Sequence, residues 1–352
     1  MYFSGRAVWH SQPISYPRLY LAAGVTTLRT AGTEHPEVER NLKRRIDAGR
    51  AVGPKLYLTG PYLNGESGDF LGDTVVQNAN EARLAVAYWA ERGFTSIKLY
   101  DAISTEAARG AIEEAHRRGL PVTGHLRSLG CREAANLGIN MIEHSFASCQ
   151  KDLGANPQAK GFTADLSSPV VQELIRLLVK KGVILVATPV TVGQPVSDEE
   201  LGMMHPQIRD TYLRNARQPP PWWPNADAEK EIRKLERAFV AAGGRLALGA
   251  DPADSGQLAG YADHRALQAL AEAGWTPLEI IRLATSEGAE ALGVGDSVGR
   301  IAARWSADFI VVSGDPAADI REMAKAELVV KNGVAYDPEK LRAQVKGIVG
   351  WY

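Results

Sequence analysis

Four residues with side chains that can bind a metal or move a proton stand at the ends of short apolar segments. Lys98 lies in SIKLY, His125 closes PVTGH, His144 closes MIEH, and Asp251 directly follows LALGA. Two neutral imidazoles and a carboxylate suit Zn²⁺ or a similar divalent ion. A buried lysine loses its proton more easily and becomes a nucleophilic amine, which can react with CO₂ to form a carbamate that bridges two metals. Each residue alone is more often structural or solvated, but their order on successive strands favours one shared site.

The segments that must position these residues have the pattern of a parallel α/β barrel. Short runs rich in Val, Ile, Leu and Thr alternate with amphipathic helices, as in parallel sheets with right-handed crossovers. The predicted strands are Val25–Thr30, Lys55–Thr59, Thr95–Tyr100, Pro121–His125, Asn140–His144, Val183–Thr188 and Arg245–Ala250. A barrel of this class has eight strands and an active site at their carboxyl ends, so one strand is missed or absent.

Helix boundaries are marked by capping residues. A helix over 104–118 stops at Gly119, and one over 169–181 follows Ser168 as N-cap. A third begins at Thr276, where Glu279 completes a capping box. The long connections over 60–80 and 189–227, the second with QPPPWWPN, are expected to shape a pocket, with a surface insertion as the alternative.

The end of the chain predicts a separate, small β appendage. Residues 296–352 contain strand-like segments over 299–303, 308–313 and 327–331, a tight turn at Asn332-Gly333, and a helix with a tail over 338–352. Residues 1–295 would then form the barrel, and the family resemblance described below implies that the appendage is half of a composite β-sandwich.

The chain resembles the amidohydrolase superfamily, in the branch similar to imidazolonepropionases and prolidase-like enzymes. Each matching phrase is loose, but their order and spacing over nearly the whole chain are specific. The phrases are LAAGVTTLRTAG (21–32), GPKLYLTGP (53–61), AHRRGLPVTGHL (115–126), NLGINMIEHSF (136–146), LALGAD (246–251) and AGWTPLEIIRLATSEGAEALGV (273–294), followed by the β segment GRIAARWSADFIVVSGDPAADI and LVVKNGVAYD.

The resemblance implies a ligand set drawn from strands one, four, five, six and eight. Carried over, Lys98 is the bridging lysine, His125 and His144 are the paired imidazoles, and Asp251 is the final carboxylate. In the family the first strand supplies a His-x-His pair, and this sequence contains none. We therefore expect an α/β fold, a TIM-like (β/α)₈ barrel lacking its first strand, in a chain whose start is truncated or wrongly assigned. The upstream reading frame tests this.

The implied activity is hydrolysis of carbon–nitrogen bonds other than those in long polypeptides. One or two divalent ions, with zinc favoured and a carbamate on Lys98, would activate water, and Asp251 would move the proton to the leaving nitrogen. Dipeptides, N-acyl amino acids and cyclic amides are the implied substrates. Because the His-x-His pair is absent, an alternative hypothesis is a catalytically inactive barrel that binds a small ligand or partner. Ester hydrolysis or deamination on the same barrel is a third hypothesis, because one fold can support several reactions.

Four further residues are candidates for contact with the substrate. The resemblance places His264 after the last strand as a substrate or supporting residue, against the alternative of a helix-surface histidine. Arg127 could hold a carboxylate with both guanidinium nitrogens, although a solvated arginine is the more frequent case. Tyr100 would line the pocket near Lys98, and Arg29 would face the pocket or brace its rim.

Composition excludes several other classes. The 352 residues include 40 basic and 41 acidic residues, a net charge of -1, so no basic excess points to nucleic acid. No apolar run reaches the roughly 18 residues of a membrane span. The start, MYFSGRAVWH, has no signal-peptide core, which predicts a cytoplasmic chain as given and leaves open an upstream export signal. Cys131 and Cys149 lack metal-site spacing and are predicted to be free thiols. A homo-oligomer is left open.

Overall fold

The computed structural model describes residues 2–4, 9–66, 73–157, 159–189, 195–217, 225–252 and 257–351. Its strands are β1 (Tyr2–Ser4), β2 (Trp9–Ser11), β3 (Thr27–Arg29), β4 (Lys55–Tyr57), β5 (Thr59–Asn64), β6 (Thr74–Val75), β7 (Ser96–Leu99), β8 (Val122–Gly124), β9 (Met141–Glu143), β10 (Ile184–Ala187), β11 (Arg245–Leu248), β12 (Phe309–Val312), β13 (Ala326–Lys331) and β14 (Val334–Tyr336).

The α-helices lie between these strands and after them. They are α1 (Ser15–Ala22), α2 (Pro36–Asp47), α3 (Ala79–Glu91), α4 (Thr105–Arg117), α5 (Cys131–Leu137), α6 (Gln150–Leu153), α7 (Pro169–Lys180), α8 (Asp198–Met203), α9 (Pro206–Arg217), α10 (Ala226–Ala241), α11 (Tyr261–Glu272), α12 (Pro277–Arg282), α13 (Gly288–Ala291) and α14 (Pro338–Ala343). Within the described ranges, no helix is both long and apolar enough to cross a bilayer.

A parallel sheet forms the centre of the molecule. Its strands are ordered β11-β10-β9-β8-β7-β5-β6, and β3 pairs in parallel with β4, which only Leu58 separates from β5. All seven strands predicted for the barrel are therefore found, with helices in the crossovers. Among the described residues β11 and β3 are not paired, so the sheet is an open, TIM-like α/β arrangement in which no closed barrel is formed.

The sheet is held by a large apolar core between its outer face and the helices. Helix α7 buries the stripe predicted from its spacing, which consists of Val171, Leu174, Ile175 and Leu178. These side chains pack in the same cluster as Ile142 and Leu185 of the sheet. The neighbours Met141 and Ile184 belong instead to a separate cluster, because successive strand residues face opposite sides. The core thus fixes the ends of the strands that bear the candidate site.

The three predicted N-caps precede their helices, although the Ser168 side chain forms no capping hydrogen bond. Ser104 Oγ accepts a hydrogen bond from the Ala107 amide, and Thr276 forms the predicted capping box with Glu279. The long connection over 189–227 was expected to be a loop, and that was wrong in part because it contains α8 and α9. Ser197 caps α8 through the Glu200 amide, a start signal that the sequence already contains. Residues 218–224 of QPPPWWPN and 67–72 of the first long connection lie outside the described residues.

The C-terminal segment forms a three-stranded antiparallel sheet, β12-β13-β14. Its hairpin turn is the predicted Asn332-Gly333, with φ of 52° and 75°, as a type I′ turn requires. The strand expected over 299–303 was wrong. Gly299 has φ of 89° and Ile301 is 88% exposed, so this apolar run has no sheet neighbour to pack against. The division of the chain at residue 295 stays a prediction.

The two cysteines form a disulfide, so the expectation of free thiols was wrong. Cys131 begins α5, and Cys149 ends a 3₁₀ helix over Ser145–Cys149. Their Cα atoms lie 5.2 Å apart, within the range that a disulfide needs. Eighteen positions separate the two residues, and only the packing of α5 against the turn after β9 brings them together.

Candidate active site

The carboxyl ends of the strands bring the predicted donor side chains to one rim. Lys98 lies in β7, His125 and His144 directly follow β8 and β9, and Asp251 comes three positions after β11. The rings of His125 and His144 have centroids 4.8 Å apart. Asp251 Oδ2 lies 3.9 Å from His144 Nε2. Two imidazoles and a carboxylate from three separate strand ends therefore meet at the rim.

Lys98 is the buried member of this group. It is 2% exposed, and among the described residues its ammonium forms no hydrogen bond or ion pair. Burial lowers its pKa, and the charge of Arg29 acts in the same direction, while Glu143 opposes them. Lys98 Nζ lies 6.0 Å from the centre of the Tyr100 ring. An amine in this setting loses its proton more readily than a solvated lysine.

A polar side chain lies near Nδ1 of each histidine. His144 Nδ1 lies 2.8 Å from the Thr188 hydroxyl, and His125 Nδ1 lies 3.6 Å from Asp101 Oδ1. The Thr188 contact is a hydrogen bond that fixes the His144 ring and directs its Nε2 toward a ligand. The 3.6 Å approach of Asp101 to His125 is longer than a hydrogen bond. Thr188 directly follows β10 and Asp101 follows β7 by two positions, so the supporting groups come from the same rim as the histidines.

Both imidazoles are held in the neutral form. Burial lowers the pKa of His125 well below its usual value, and the nearby His144, Lys98 and Arg127 lower it further. Burial also lowers the pKa of His144, against the opposing effect of Asp251, although 26% of the His144 side chain remains accessible. Neutral imidazole is the form that binds metals.

The backbone is strained at the same positions. His144, Ser145 and Asp251 have φ of 58°, 47° and 46°, a region that residues with a Cβ occupy at a cost. Such strain persists only where the surroundings determine the conformation, and it concentrates at functional sites. Here the positive φ values change the direction of the chain at two predicted ligands, His144 and Asp251, just after their strands end.

A buried ion pair lies beneath the rim. Arg29 Nη2 contacts Glu143 Oε1 at 2.6 Å, and the Thr123 hydroxyl donates to the same oxygen at 2.5 Å. Burial raises the pKa of Glu143, but the charges of Arg29 and Lys98 and the Thr123 hydrogen bond outweigh it and lower the pKa to about 2. Arg29 therefore braces the interior below the histidines in this structure.

The other predicted contact residues lie at different distances from this group: Tyr100 is beside it, and His264 is away from it. The rings of Tyr100 and His125 pack edge to face, with centroids 5.5 Å apart. Arg127 is largely exposed and pairs with Asp101 at 3.2 Å. His264 Nε2 contacts the Ala23 carbonyl oxygen at 3.0 Å, and no hydrogen bond or ion pair among the described residues joins it to the rim.

Three supporting residues were missed from sequence. Asp101 and Thr188 stand at strand ends, so the same rule that flagged the histidines would have found them. Glu143 is a charged residue inside an apolar strand, where its neighbours Ile142 and Met141 are buried. A buried charge in such a strand signals a partner across the interior. The identity of that partner, Arg29, depends on the fold alone.

The distances between donor atoms determine whether one metal ion can be bound by them. Two atoms that each lie about 2.1 Å from one ion can be at most about 4.2 Å apart. The 3.9 Å between His144 Nε2 and Asp251 Oδ2 meets this limit. Among the described residues, however, no group of three or more His, Cys, Asp and Glu side chains is arranged to hold an ion. The residues present thus fit part of a metal site.

The comparisons with known proteins identify the family of this chain. The model of the amidohydrolase family matches residues 20–335, and the chain therefore belongs to the amidohydrolase family. Its members generally use divalent metals. The protein is an enzyme of the class that hydrolyses carbon–nitrogen bonds. A comparison with curated proteins returned no match.

Solved structures share this fold over most of the chain. A provisionally assigned prolidase from Bifidobacterium longum is 25% identical, with a TM-score of 0.67, covering 94% of this chain and 80% of the other. Bottromycin amidohydrolase is 20% identical, with a TM-score of 0.69 and coverage of 93% and 74%. Molinate hydrolase is 19% identical, with a TM-score of 0.69 and coverage of 93% and 75%.

Proposed function

We propose that the protein is a metal-dependent hydrolase of small amides, with the metal held by Lys98, His125, His144 and Asp251. The observation that supports this most directly is the 3.9 Å approach of His144 Nε2 to Asp251 Oδ2, with the His125 ring beside them. Neutral imidazoles and an accessible carboxylate are the donors that Zn²⁺ prefers. Zinc is the first metal to test.

Lys98 is proposed to be carboxylated on Nζ. Carbamate formation needs the unprotonated amine, which burial favours, and a site without a competing carboxylate partner. The Lys98 ammonium is buried and unpaired among the described residues. As a carbamate, Lys98 would present two oxygens toward the rim, complementing the histidine nitrogens.

Asp251 is proposed as the proton carrier of the reaction. A bound divalent cation would supply Lewis acidity that makes water a nucleophile near neutral pH. The Asp251 side chain is 49% exposed at the mouth, where it can accept the proton of the attacking water and return it to the leaving nitrogen. His144, oriented by Thr188, keeps its Nε2 toward that carboxylate.

The proposed substrates are dipeptides, N-acyl amino acids and cyclic amides. The similar structures include a provisionally assigned prolidase and a Xaa-Pro dipeptidase. Tyr100 is placed to form a wall beside His125, and Arg127 has an exposed guanidinium that could recognise a substrate carboxylate. His264 and Arg29 are proposed as supports for the pocket.

Metal content tests the proposal and separates it from the alternative. The purified protein, and the same protein extended by its upstream reading frame, are analysed for bound metal after incubation with Zn²⁺. One or two ions per chain, lost in His144→Ala, support the hydrolase. The sequence contains no His-x-His pair, so the alternative is an inactive barrel that binds a ligand or partner. Absence of bound metal in both proteins favours that alternative.

A further inference from the structure

The two segments that carry the histidines beyond their strands are tied to each other. We define the first segment as residues 126–132, after His125, and the second as residues 145–152, after His144. The Cys131–Cys149 disulfide joins them, and both cysteines are fully buried. The covalent link lies six positions after one histidine and five after the other.

Polar contacts reinforce the same connection. The Asp152 carboxylate accepts hydrogen bonds from the Cys131 amide at 2.6 Å and the Arg132 amide at 3.2 Å. In the opposite direction, Lys151 Nζ donates to the Ser128 and Leu129 carbonyl oxygens at 2.9 and 3.2 Å. One disulfide and four hydrogen bonds therefore join the two segments side by side.

Each segment is also anchored to the rim at its own end. The Ser128 amide donates to the Asp101 carbonyl oxygen at 2.9 Å, and the Asp101 side chain faces His125. The Ser148 hydroxyl donates to the Glu143 carbonyl oxygen at 2.6 Å, directly before His144. A displacement of either segment would therefore be transmitted to a histidine.

The strained backbone explains why such a connection is needed. His144 and Ser145 both have positive φ, a conformation that relaxes unless the flanking chain is held. The disulfide closes a ring that contains α5, β9, His144 and the 3₁₀ helix. It restricts the conformations available to this part of the chain.

We propose that Cys131 and Cys149 are positioning residues that hold His125 and His144 at the spacing metal binding needs. This inference rests on the proposed function, since it assigns those histidines as metal ligands. The disulfide acts by limiting the motion of the two segments, without contact with the metal or the substrate. Supporting residues around metal sites typically change metal affinity by about 10- to 100-fold.

The variants Cys131→Ser, Cys149→Ser and the double variant test this. Co²⁺ is the probe, because its visible spectrum reports ligand geometry as well as affinity. We expect each single variant to weaken Co²⁺ binding about 10-fold and to alter the spectrum, with no additional loss in the double variant, since either change removes the same bond. Equal Co²⁺ affinity and spectrum in wild type and variants would overturn the proposal.

Leu42→Ala is the matched control for general destabilisation. Leu42 is buried in a separate cluster with Ile46 and Leu56, and its truncation leaves the two segments untouched. This variant should lose stability and keep the Co²⁺ affinity and spectrum of the wild type. If Leu42→Ala weakens Co²⁺ binding as much as the cysteine variants do, the positioning role is rejected.

Hydrogen exchange without metal separates failure of the connection from failure of the metal site. If wild type binds no Co²⁺, the proposed function fails, and the connection is judged by exchange over residues 126–132 and 145–152. Faster exchange there in the cysteine variants, and not in Leu42→Ala, supports the inference. Unchanged exchange overturns it, as do two free thiols in wild-type protein that was denatured without reductant.

Discussion

At the scale of single residues, the candidate site combines neutral donors with partners that orient them. His144 lies between Thr188 on one ring nitrogen and Asp251 on the other. His125 has Asp101 Oδ1 3.6 Å from Nδ1 and packs edge to face with Tyr100. Because the two histidines have different neighbours, the contributions of ligand, support and proton carrier can be measured one at a time.

Asp251→Asn should abolish turnover and leave folding intact. Asparagine adopts positive φ more readily than most residues, so the backbone at 46° is kept, but the amide cannot accept the proton of water. We expect kcat to fall at least about 10³-fold, measured on a dipeptide or N-acyl amino acid. The exposed Asp47→Asn is the control, and normal kcat in Asp251→Asn would refute the proton role.

Thr188→Val should weaken metal binding through His144. Valine keeps the shape of the side chain and removes the hydroxyl 2.8 Å from Nδ1, so the ring loses its fixed orientation. Metal affinity is expected to drop about 10- to 100-fold, read by competition with a chelating dye. Thr188→Ser retains the hydroxyl and should bind as wild type. Similar affinities for Val and Ser would remove Thr188 from the site.

At the scale of elements, α10 is joined to the turn after β9 by a buried polar contact. Glu236 of α10 accepts a hydrogen bond from the Ser145 hydroxyl and forms an ion pair with Arg233 Nη1 at 2.8 Å. Burial raises the pKa of Glu236 to about 7, although Arg233 and Ser145 lower it. The folded state therefore keeps this proton to higher pH than the unfolded chain does.

The free energy of unfolding should therefore fall as the pH rises, because the buried Glu236 carboxyl loses its proton. Between the unfolded pKa near 4.5 and the folded pKa of about 7, the native state binds more protons, so the free energy of unfolding declines as pH rises. Glu236→Gln has no such proton. It should match wild type near pH 5 and exceed it by roughly 3 kcal/mol near pH 8.

Urea unfolding at several pH values measures this difference. The exposed Glu272→Gln provides the comparison for a Glu-to-Gln change away from the buried site. A constant difference between wild type and Glu236→Gln from pH 5 to pH 8 would mean that Glu236 titrates alike in both states.

At the scale of the whole molecule, the C-terminal sheet is joined to the barrel by a core and by ion pairs. Val329 and Leu341 pack with Leu21 and Ala22 of α1. Lys55 Nζ of β4 contacts Asp308 Oδ2 at 2.6 Å. We propose that the boundary near residue 295 separates two topologically distinct parts, and that both parts unfold together as one cooperative unit.

Lys55→Met should lower the stability of both parts together. It leaves Asp308, whose side chain is 3% exposed, without its cation, and breaking a buried pair costs about 3–5 kcal/mol. Circular dichroism and tryptophan fluorescence should report one shared urea midpoint, shifted down. Lys43→Met, which removes an exposed pair, should change it little. Separate midpoints for the two probes would show that the parts unfold independently.

The amino-acid pattern alone was sufficient to predict seven parallel strands and the candidate donors, whereas β6 and most of β5 lie in the connection predicted over 60–80. Buried parallel strands need continuous apolar runs, and their ends stand out where Lys98, His125, His144 and Asp251 interrupt those runs. Capping residues such as Ser104 and Thr276 marked helix starts, because local hydrogen bonds depend on neighbours in the chain. These signals are short-range, and they can be read before the fold is known.

Contacts between distant segments depended on the fold. The Cys131–Cys149 disulfide, the pair of Arg29 with Glu143, and the burial of Glu236 beside Ser145 each join positions that no local pattern relates. Their geometry depends on crossover packing and on the rotamers that the core permits. The sequence therefore specified which chemical groups reach the rim. Packing of the whole chain determined how those groups are paired, oriented and held, since each distance sums contributions from many elements.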